Sequence, residues 1–469
     1  MQSRTTYERS PPGGPTGSSA LCQGFAVPGS KERNPRQSSA QLRANRKPRN
    51  GAGGEPGDCS AHSGHAGWAP LRRGRESLPV LASCAALYAC SIVALRLSHV
   101  GQGWPFVDLG VYRQGGAAAL DGRSLYDLRF PGALAFTYPP AAALLFTGLV
   151  PLRMAVLEPS VTAVSMLLLP VTLALALRLR PAREWLTRAQ AICLALAAAA
   201  GALWLEPVWT ALRYGQIDLL IAALVLYDLS RDQRCRWQGA GIGLAAGLKL
   251  TPAIFAVYLL LTRRVRAALV SLGVFAVTVA LGFALIPNDA RAFWGGAFLD
   301  SSRVGRAENA ANQSLRGAYV RVLHSLGVDP LWMLTALAIG VLGITLAAQA
   351  GRRGDDVRGF ALCALCGLLI SPVSWSHHWV LAVPALVVLG WSALRAFSVT
   401  RLLACAAVVA VGLSHLIWWV PINRPPHSEL HLNPPQLLFG DAYVLIALAV
   451  LAGAAFSSGR RGVARIRLA

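Results

Sequence analysis

The feature that most constrains this chain is a series of apolar runs, each ending in arginine or in a polar loop. Runs long enough to be spans fall at about 78–98, 156–178, 188–206, 215–230, 266–286, 331–350, 358–374, 377–395, 401–420 and 441–458. A bilayer core needs about 20 apolar residues in a helix, and in lipid the backbone must satisfy its own hydrogen bonds. The pattern therefore predicts an all-α polytopic membrane protein. Composition agrees, with 54% hydrophobic and 14% charged residues, against about 25% charged in soluble domains. A net charge of +22 could suggest nucleic acid. The basic residues are mostly Arg in short clusters between apolar runs, however, which is the pattern that orients a membrane protein. No nucleic-acid partner is expected.

Two further apolar stretches are ambiguous, and the arginines decide how to read them. The run 139–152 has only 14 residues. If it crossed, Arg178, Arg180, Arg183 and Arg188 would lie outside, against the positive-inside bias, so it is expected to be re-entrant or juxtamembrane within the first external loop. The run 238–263 is interrupted by Lys249, Thr251 and Pro252. Read as two half-helices meeting there, it returns Arg263, Arg264 and Arg266 to the inside. The expectation is about twelve transmembrane helices with both termini cytoplasmic. The chain then divides into a disordered basic cytoplasmic tail (1–77), rich in Pro, Gly, Ser and Arg, a transmembrane domain (78–458) and a basic cytoplasmic tail (459–469). The external face comprises 99–137 with the re-entrant piece, 207–215, 287–330 and 421–440. Cys363-x-x-Cys366 has the form of a redox or metal motif, but lies mid-span and reads as packing.

Lys249 is the sole Lys beyond Lys47. A cation in an apolar stretch needs an anionic partner or a wet cavity. Snorkelling to an interface would answer this need. The Thr251-Pro252 that follows favours a broken helix offering its ammonium and free backbone groups to an anion, naturally a phosphate. Asp108, just past the first span, is either a general base for a hydroxyl or a loop ion pair with Arg113 or Arg123. Ser374-Trp-Ser-His377-His378-Trp379 joins two spans. Its two His suit a sugar or phosphate, whereas adjacent His on a helix point about 100° apart and share one metal awkwardly. Trp375 is either an interfacial residue or a stacking platform for a sugar. Glu206, Arg213, Gln216, Asn312 and Gln313 are polar groups of the kind that bind polyhydroxyl ligands. No carboxylate cluster is evident, so no metal is expected.

Together these stretches resemble the family-87 glycosyltransferases of the glycosyltransferase C superfamily, the actinobacterial polyprenol-phosphate-mannose-dependent α-(1→2)-mannosyltransferases. The resemblance rests on Asp108-Leu-Gly-Val-Tyr112, Asp121-Gly-Arg-Ser-Leu-Tyr126, Phe136-Thr-Tyr138-Pro-Pro140, Trp204-Leu-Glu206-Pro and Gly215-Gln216-Ile-Asp218. It continues through Gly247-Leu-Lys249-Leu-Thr-Pro252, Asn312-Gln-Ser314 and Ser371-Pro-Val-Ser-Trp375-Ser-His377-His378-Trp379. It implies a glycosyltransferase C fold that moves mannose, with inversion, from a lipid-linked donor to an extracytoplasmic glycolipid or lipoglycan acceptor at the plasma membrane. Asp108 matches the family's loop acid, the base. Lys249, His377, His378, Tyr138 and Gln216 are implied for donor phosphate and sugar. Asn312, Gln313, Trp375, Glu206 and Arg213 are implied for the acceptor or sugars. Polyprenyl-phosphate-mannose would be a co-substrate, with no cofactor. Asp218 departs from the Asn more often found there. The competing readings are another polyprenyl-phosphate sugar such as arabinose, and a lipid-linked sugar transporter or flippase, for which no internal repeat is seen.

Overall fold

The structure, a computed structural model, describes residues 77–99, 103–130, 134–422 and 424–466. The basic tail expected at the N-terminus lies outside these residues. Among them the secondary structure is helical apart from one two-residue hairpin pairing, Arg129–Phe130 with Leu134–Ala135, and an isolated bridge between Asn312 and Trp375. Helix α1 (Ser77–Ser98) leads into α2 (Val107–Leu120) and the short α3 (Pro140–Phe146), which continues as a 3₁₀ turn to Leu149. α4 (Met154–Ala176) and α5 (Arg188–Ala202) follow, and the chain turns by 79° into α6 (Glu206–Tyr214). Next come α7 (Asp218–Ser230), α8 (Ala240–Leu248), α9 (Ile254–Leu261) and α10 (Val265–Leu285). The second half comprises α11 (Pro287–Ala292), α12 (Leu315–Val322), α13 (Asp329–Arg352), α14 (Asp356–Ile370), α15 (Val383–Arg395) and α16 (Val399–Ser414). It ends with α17 (Pro434–Gly440) and α18 (Ala442–Ile466), which meet at 74°.

Among the described residues, six helices are long and apolar enough to cross a membrane, or eight if each bent pair is one span. Their outer faces are apolar as well. Leu269, Leu272, Leu281 and Leu285 on α10, and Leu334, Leu337 and Val341 on α13, are exposed. Continuous apolar faces of this kind require lipid, and the chain is a multi-pass membrane protein. The count of about twelve is not reached by length and composition, because several expected spans are shorter than a crossing. α7 has 13 residues and α8 has 9. The 139–152 run forms a ten-residue apolar helix, Pro140–Leu149. It lies against α2, where Tyr112 stacks on Phe146 at 4.4 Å and Arg113 caps its end by donating to Val150 O and Leu152 O, both at 3.0 Å.

The arginine loops gather at one end of the bundle. Arg180 donates to Asp356 at 2.8 Å, and Arg264 pairs with the other oxygen of the same carboxylate. Arg266 donates to Gln233 O at 2.6 Å, and the Arg395 guanidinium sits over the Trp185 ring. Loops 178–188, 231–236, 263–266, 353–358 and 395 thus share one face. Because 231–236 touches Arg266, the stretch between them enters and leaves by the same face, as the broken-helix reading requires.

What carries that hairpin is a seam of glycines. Gly239, Gly243 and Gly247 recur every fourth residue along α8 and its start, and face α10. A Cβ on Gly239 would lie 2.0 Å from Ala267 O, one on Gly243 2.3 Å from Ser271 O, and one on Gly247 2.3 Å from Thr278 Oγ1. Small residues at this spacing allow backbones to touch, the usual basis of close helix pairing in membranes. α8 ends where Lys249 takes an extended conformation (φ −152°, ψ 123°). Pro252, which has no N–H to extend a helix, starts a 3₁₀ turn into α9.

Candidate active site

The cavity of about 780 Å³ that receives this break is within the range of small-ligand sites. It is lined by Asp108, Tyr138, Gln216, Lys249, Trp375, His377 and His378. Seven of the expected residues therefore meet in one place, although they come from stretches up to 270 positions apart.

Asp108 is the second residue of α2. The turn before it is set by Phe106 in the left-handed region (φ 42°), whose N–H donates to Arg213 O at 3.0 Å. Gly215 (φ 68°) lets the α6 end approach, since a Cβ there would be 2.8 Å from Leu109 Cβ. Asp108 is half-buried. Burial pushes its carboxyl up to about 7, with Asp218 adding to the rise; a hydrogen bond from Gln216 and the charge of Lys249 act in the opposite direction. The orientation of Gln216 is fixed from behind. Tyr112 donates to its Oε1 at 2.6 Å, and Tyr112 and Tyr138 share a hydrogen bond of 2.9 Å. That leaves the Gln216 amide nitrogen as the donor to Asp108. Arg113 is engaged with the backbone beyond α3, and Arg123 pairs with Asp121. The ion-pair alternatives for Asp108 are therefore not realised.

Lys249 does not snorkel. Its ammonium donates to Asp218 Oδ1 at 2.6 Å, with side-chain exposures of only 14% and 7%, and it sits 5.9 Å from the Tyr138 ring centroid. The anionic partner that an intramembrane cation requires is thus Asp218, an acid at the start of an apolar run. Lone acids in such runs are the sequence signal that identifies it.

His377 and His378 follow a break with a local cause. Pro372 disfavours helix at the residue before it, and Ser371 is extended (φ −60°, ψ 141°). The chain then bridges Asn312 through Trp375 and enters a 3₁₀ helix, Ser376–Ala382. The two imidazoles stand 4.7 Å apart at 85°.

Four expected ligand contacts are placed elsewhere. Asn312 and Gln313 are fully buried, with their amides consumed by backbone. Asn312 Oδ1 accepts from Ser374 N at 3.0 Å and its Nδ2 donates to Ala307 O at 3.1 Å. Gln313 donates to Ala310 O and Gly440 O and accepts from Tyr443 N. They position the Ser371–His378 segment rather than face the cavity. Glu206 is also fully buried, and its carboxylate accepts from Thr210, Ser376, Trp418 and Tyr443 at 2.7–2.9 Å. Saturated by four donors, it ties α6 to three other segments. Arg213 lies 4.1 Å over the Trp209 ring and does not line the cavity. A residue that sequence reasoning missed is Arg303, which lines the cavity and donates to Tyr126 O. It lies in a loop of ordinary composition that offers no signal.

The profile of glycosyltransferase family 87 matches residues 136–372. A polyprenol-phosphate-mannose-dependent alpha-(1-2)-phosphatidylinositol mannoside mannosyltransferase of Mycobacterium tuberculosis is 35% identical over 407 residues, 81% of this chain and 91% of that protein. The chain belongs to glycosyltransferase family 87. A protein of the same description from Mycolicibacterium smegmatis is also 35% identical, covering 74% of this chain and 82% of its own length. A pentamannoside mannosyltransferase from that organism is 33% identical over 76% of this chain and 87% of its own. Among solved structures, ArnT from Cupriavidus metallidurans bound to undecaprenyl phosphate aligns with a TM-score of 0.40 and 19% identity, over 81% of this chain and 72% of that one. The profile match spans the broken helix of this family-87 chain and ends at Pro372, just before its His pair.

Proposed function

We propose that the chain is an inverting mannosyltransferase that takes mannose from polyprenyl-phosphate-mannose. It delivers the sugar to the 2-hydroxyl of an acceptor of the phosphatidylinositol mannoside, lipomannan or lipoarabinomannan type, forming an α-1,2 linkage. The reading extends to a glycosyltransferase C arrangement of about twelve spans, in the plasma membrane, with the cavity open to the extracytoplasmic side opposite the arginine loops. The observation that carries it is the placement of Asp108 and Lys249 on one cavity. They supply a base and a cation from different elements, in a chain whose relatives are named for this transfer.

In the reaction the acceptor hydroxyl gives its proton to the Asp108 carboxylate as its oxygen bonds to the anomeric carbon. The bond from that carbon to the donor's phosphate oxygen breaks, and its electron pair stays on polyprenyl phosphate. Asp108 must be ionised to act, and a carboxyl near 7 is well matched to a general base at neutral pH. Lys249 leans from Asp218 toward the phosphate and offsets the charge that develops on it. Tyr138 and Gln216 line the sugar position, and Trp375 offers an apolar face. The 371–378 segment owes its place to Asn312 and Gln313, so these two act on the reaction through position.

The test is to incubate purified protein with labelled polyprenyl-phosphate-mannose and candidate mannoside acceptors and determine the linkage of the product. An α-1,2-mannosylated product that disappears in Asp108→Asn is expected. Transfer of arabinose but not mannose, or lipid translocation without transfer, would replace the proposal with its competitors.

A further inference from the structure

Three groups from two elements converge beside this cavity, and two of them, His377 and His378, line it. Asp218 opens α7, and His377 and His378 lie at the start of the 3₁₀ helix before α15. One possible ligand atom from each lies within 4.8 Å of both others. Two buried atoms among them have no hydrogen-bond partner: Asp218 Oδ2 and His377 Nε2, on residues that are 6% and 4% exposed. Lys249 does not meet this need, since its ammonium is given to the other Asp218 oxygen. Buried polar atoms are nearly always paired, so a carboxylate oxygen and an imidazole nitrogen left over on two members of one such cluster point to a ligand that accepts electron pairs from both.

We infer that Asp218, His377 and His378 bind one divalent first-row metal ion, with Zn²⁺ the best match. Two imidazoles and one carboxylate form a donor set that suits it and leaves a coordination position open to a further ligand. Bonds of about 2.0–2.2 Å would set tetrahedral ligand atoms about 3.4 Å apart, so from separations of up to 4.8 Å binding requires a closure of at most about 1.4 Å. The adjacency of the two His is no obstacle here. Their ring centroids are only 4.7 Å apart, and one nitrogen from each lies within 4.8 Å of an Asp218 oxygen. The open position would face the cavity beside Lys249. There the ion would be a second cation for the departing phosphate, a role that rests on the transfer reading above; the binding itself does not.

The experiment uses the full chain in detergent, stripped with chelator and titrated with Co²⁺ and with Zn²⁺. Co²⁺ absorption reports the coordination sphere, and Zn²⁺ competition reports the affinity. One equivalent per chain is expected, weakened at least tenfold in Asp218→Ala and in His378→Ala. Asp218→Asn keeps the shape of the side chain but strands Lys249, so thermal unfolding of each variant, with Asp218→Asn also made together with Lys249→Met, separates loss of a ligand from loss of fold. Absence of a stoichiometric ion in the wild type, or affinity unchanged in all three variants, overturns the site. Mannosyl transfer is measured separately: an ion bound without transfer upholds the site and sinks the proposed function, and transfer by a chain that binds no ion does the reverse.

Discussion

Asp108 can take a proton only when ionised, so as the proposed base its raised pKa should set the pH dependence of transfer. With a carboxyl near 7, lowering the pH protonates the base, and activity is lost as pH falls through that value. The donor's phosphodiester does not titrate there. At pH 5 the ionised fraction is about one hundredth, so kcat/KM should be about 100-fold below its alkaline plateau. The Gln216 hydrogen bond favours the ionised form. Such a bond to a charged group is worth about 1.5–3 kcal/mol, and one pKa unit is about 1.4 kcal/mol. Gln216→Leu should therefore move the acid limb to higher pH by at least about one unit. Asp108→Asn should lower kcat by roughly 10²–10⁴, leaving residual activity flat with pH. The assay is radiolabel transfer at subsaturating substrate from pH 5 to 9, with folding checked by thermal unfolding. A flat wild-type profile would refute the reasoning. So would an acid limb that survives in Asp108→Asn, which would assign the titration to another group.

Lys249→Met should raise the donor KM at least tenfold, order of magnitude, while leaving the acceptor KM alone; because it strands Asp218, the double variant with Asp218→Asn is the cleaner comparison, and an unchanged donor KM in both would remove the phosphate role. Glu206→Ala should destabilise by at least about 1–3 kcal/mol, since Thr210, Ser376, Trp418 and Tyr443 all donate to that carboxylate and would be left unpaired; an unmoved unfolding temperature would count against it as a structural hub. Impermeant maleimide on intact cells should label cysteine introduced at exposed Leu299 but not at Arg183 or Arg353, and labelling of all three would overturn the arginine-based orientation.

Much of this arrangement is visible in the sequence because membrane physics writes it there. The interruption at Lys249–Pro252 exposes the broken helix, since a cation and a proline in an apolar run have few alternatives. Arginines at loop ends show which stretches share a face, as the Asp356 network bears out. Asn312, Gln313 and Glu206 mislead for a physical reason. An amide or carboxylate that binds a sugar and one that binds backbone are the same residue types, and only burial separates them. Asp218 stands out in the sequence as a departure, but its pairing with Lys249 joins residues 31 positions apart and depends on how α7 and α8 pack. Length and composition identify six to eight spans rather than about twelve, because half-length helices carry the same hydropathy as full ones but fall short of a crossing.

The glycine seam sets an unusual pattern of tolerance. At Asp108, the proposed base, an isosteric replacement should cost chemistry and leave the molecule standing. At Gly243, a single methyl would meet Ser271 O at 2.3 Å, and the partner there is backbone, which has no rotamer to move aside. The bundle should therefore absorb the loss of the Asp108 carboxylate more easily than the gain of one carbon between α8 and α10. Genetic screens for inactive variants should divide accordingly, with changes around the cavity yielding abundant silent protein and changes along the seam yielding little protein at all.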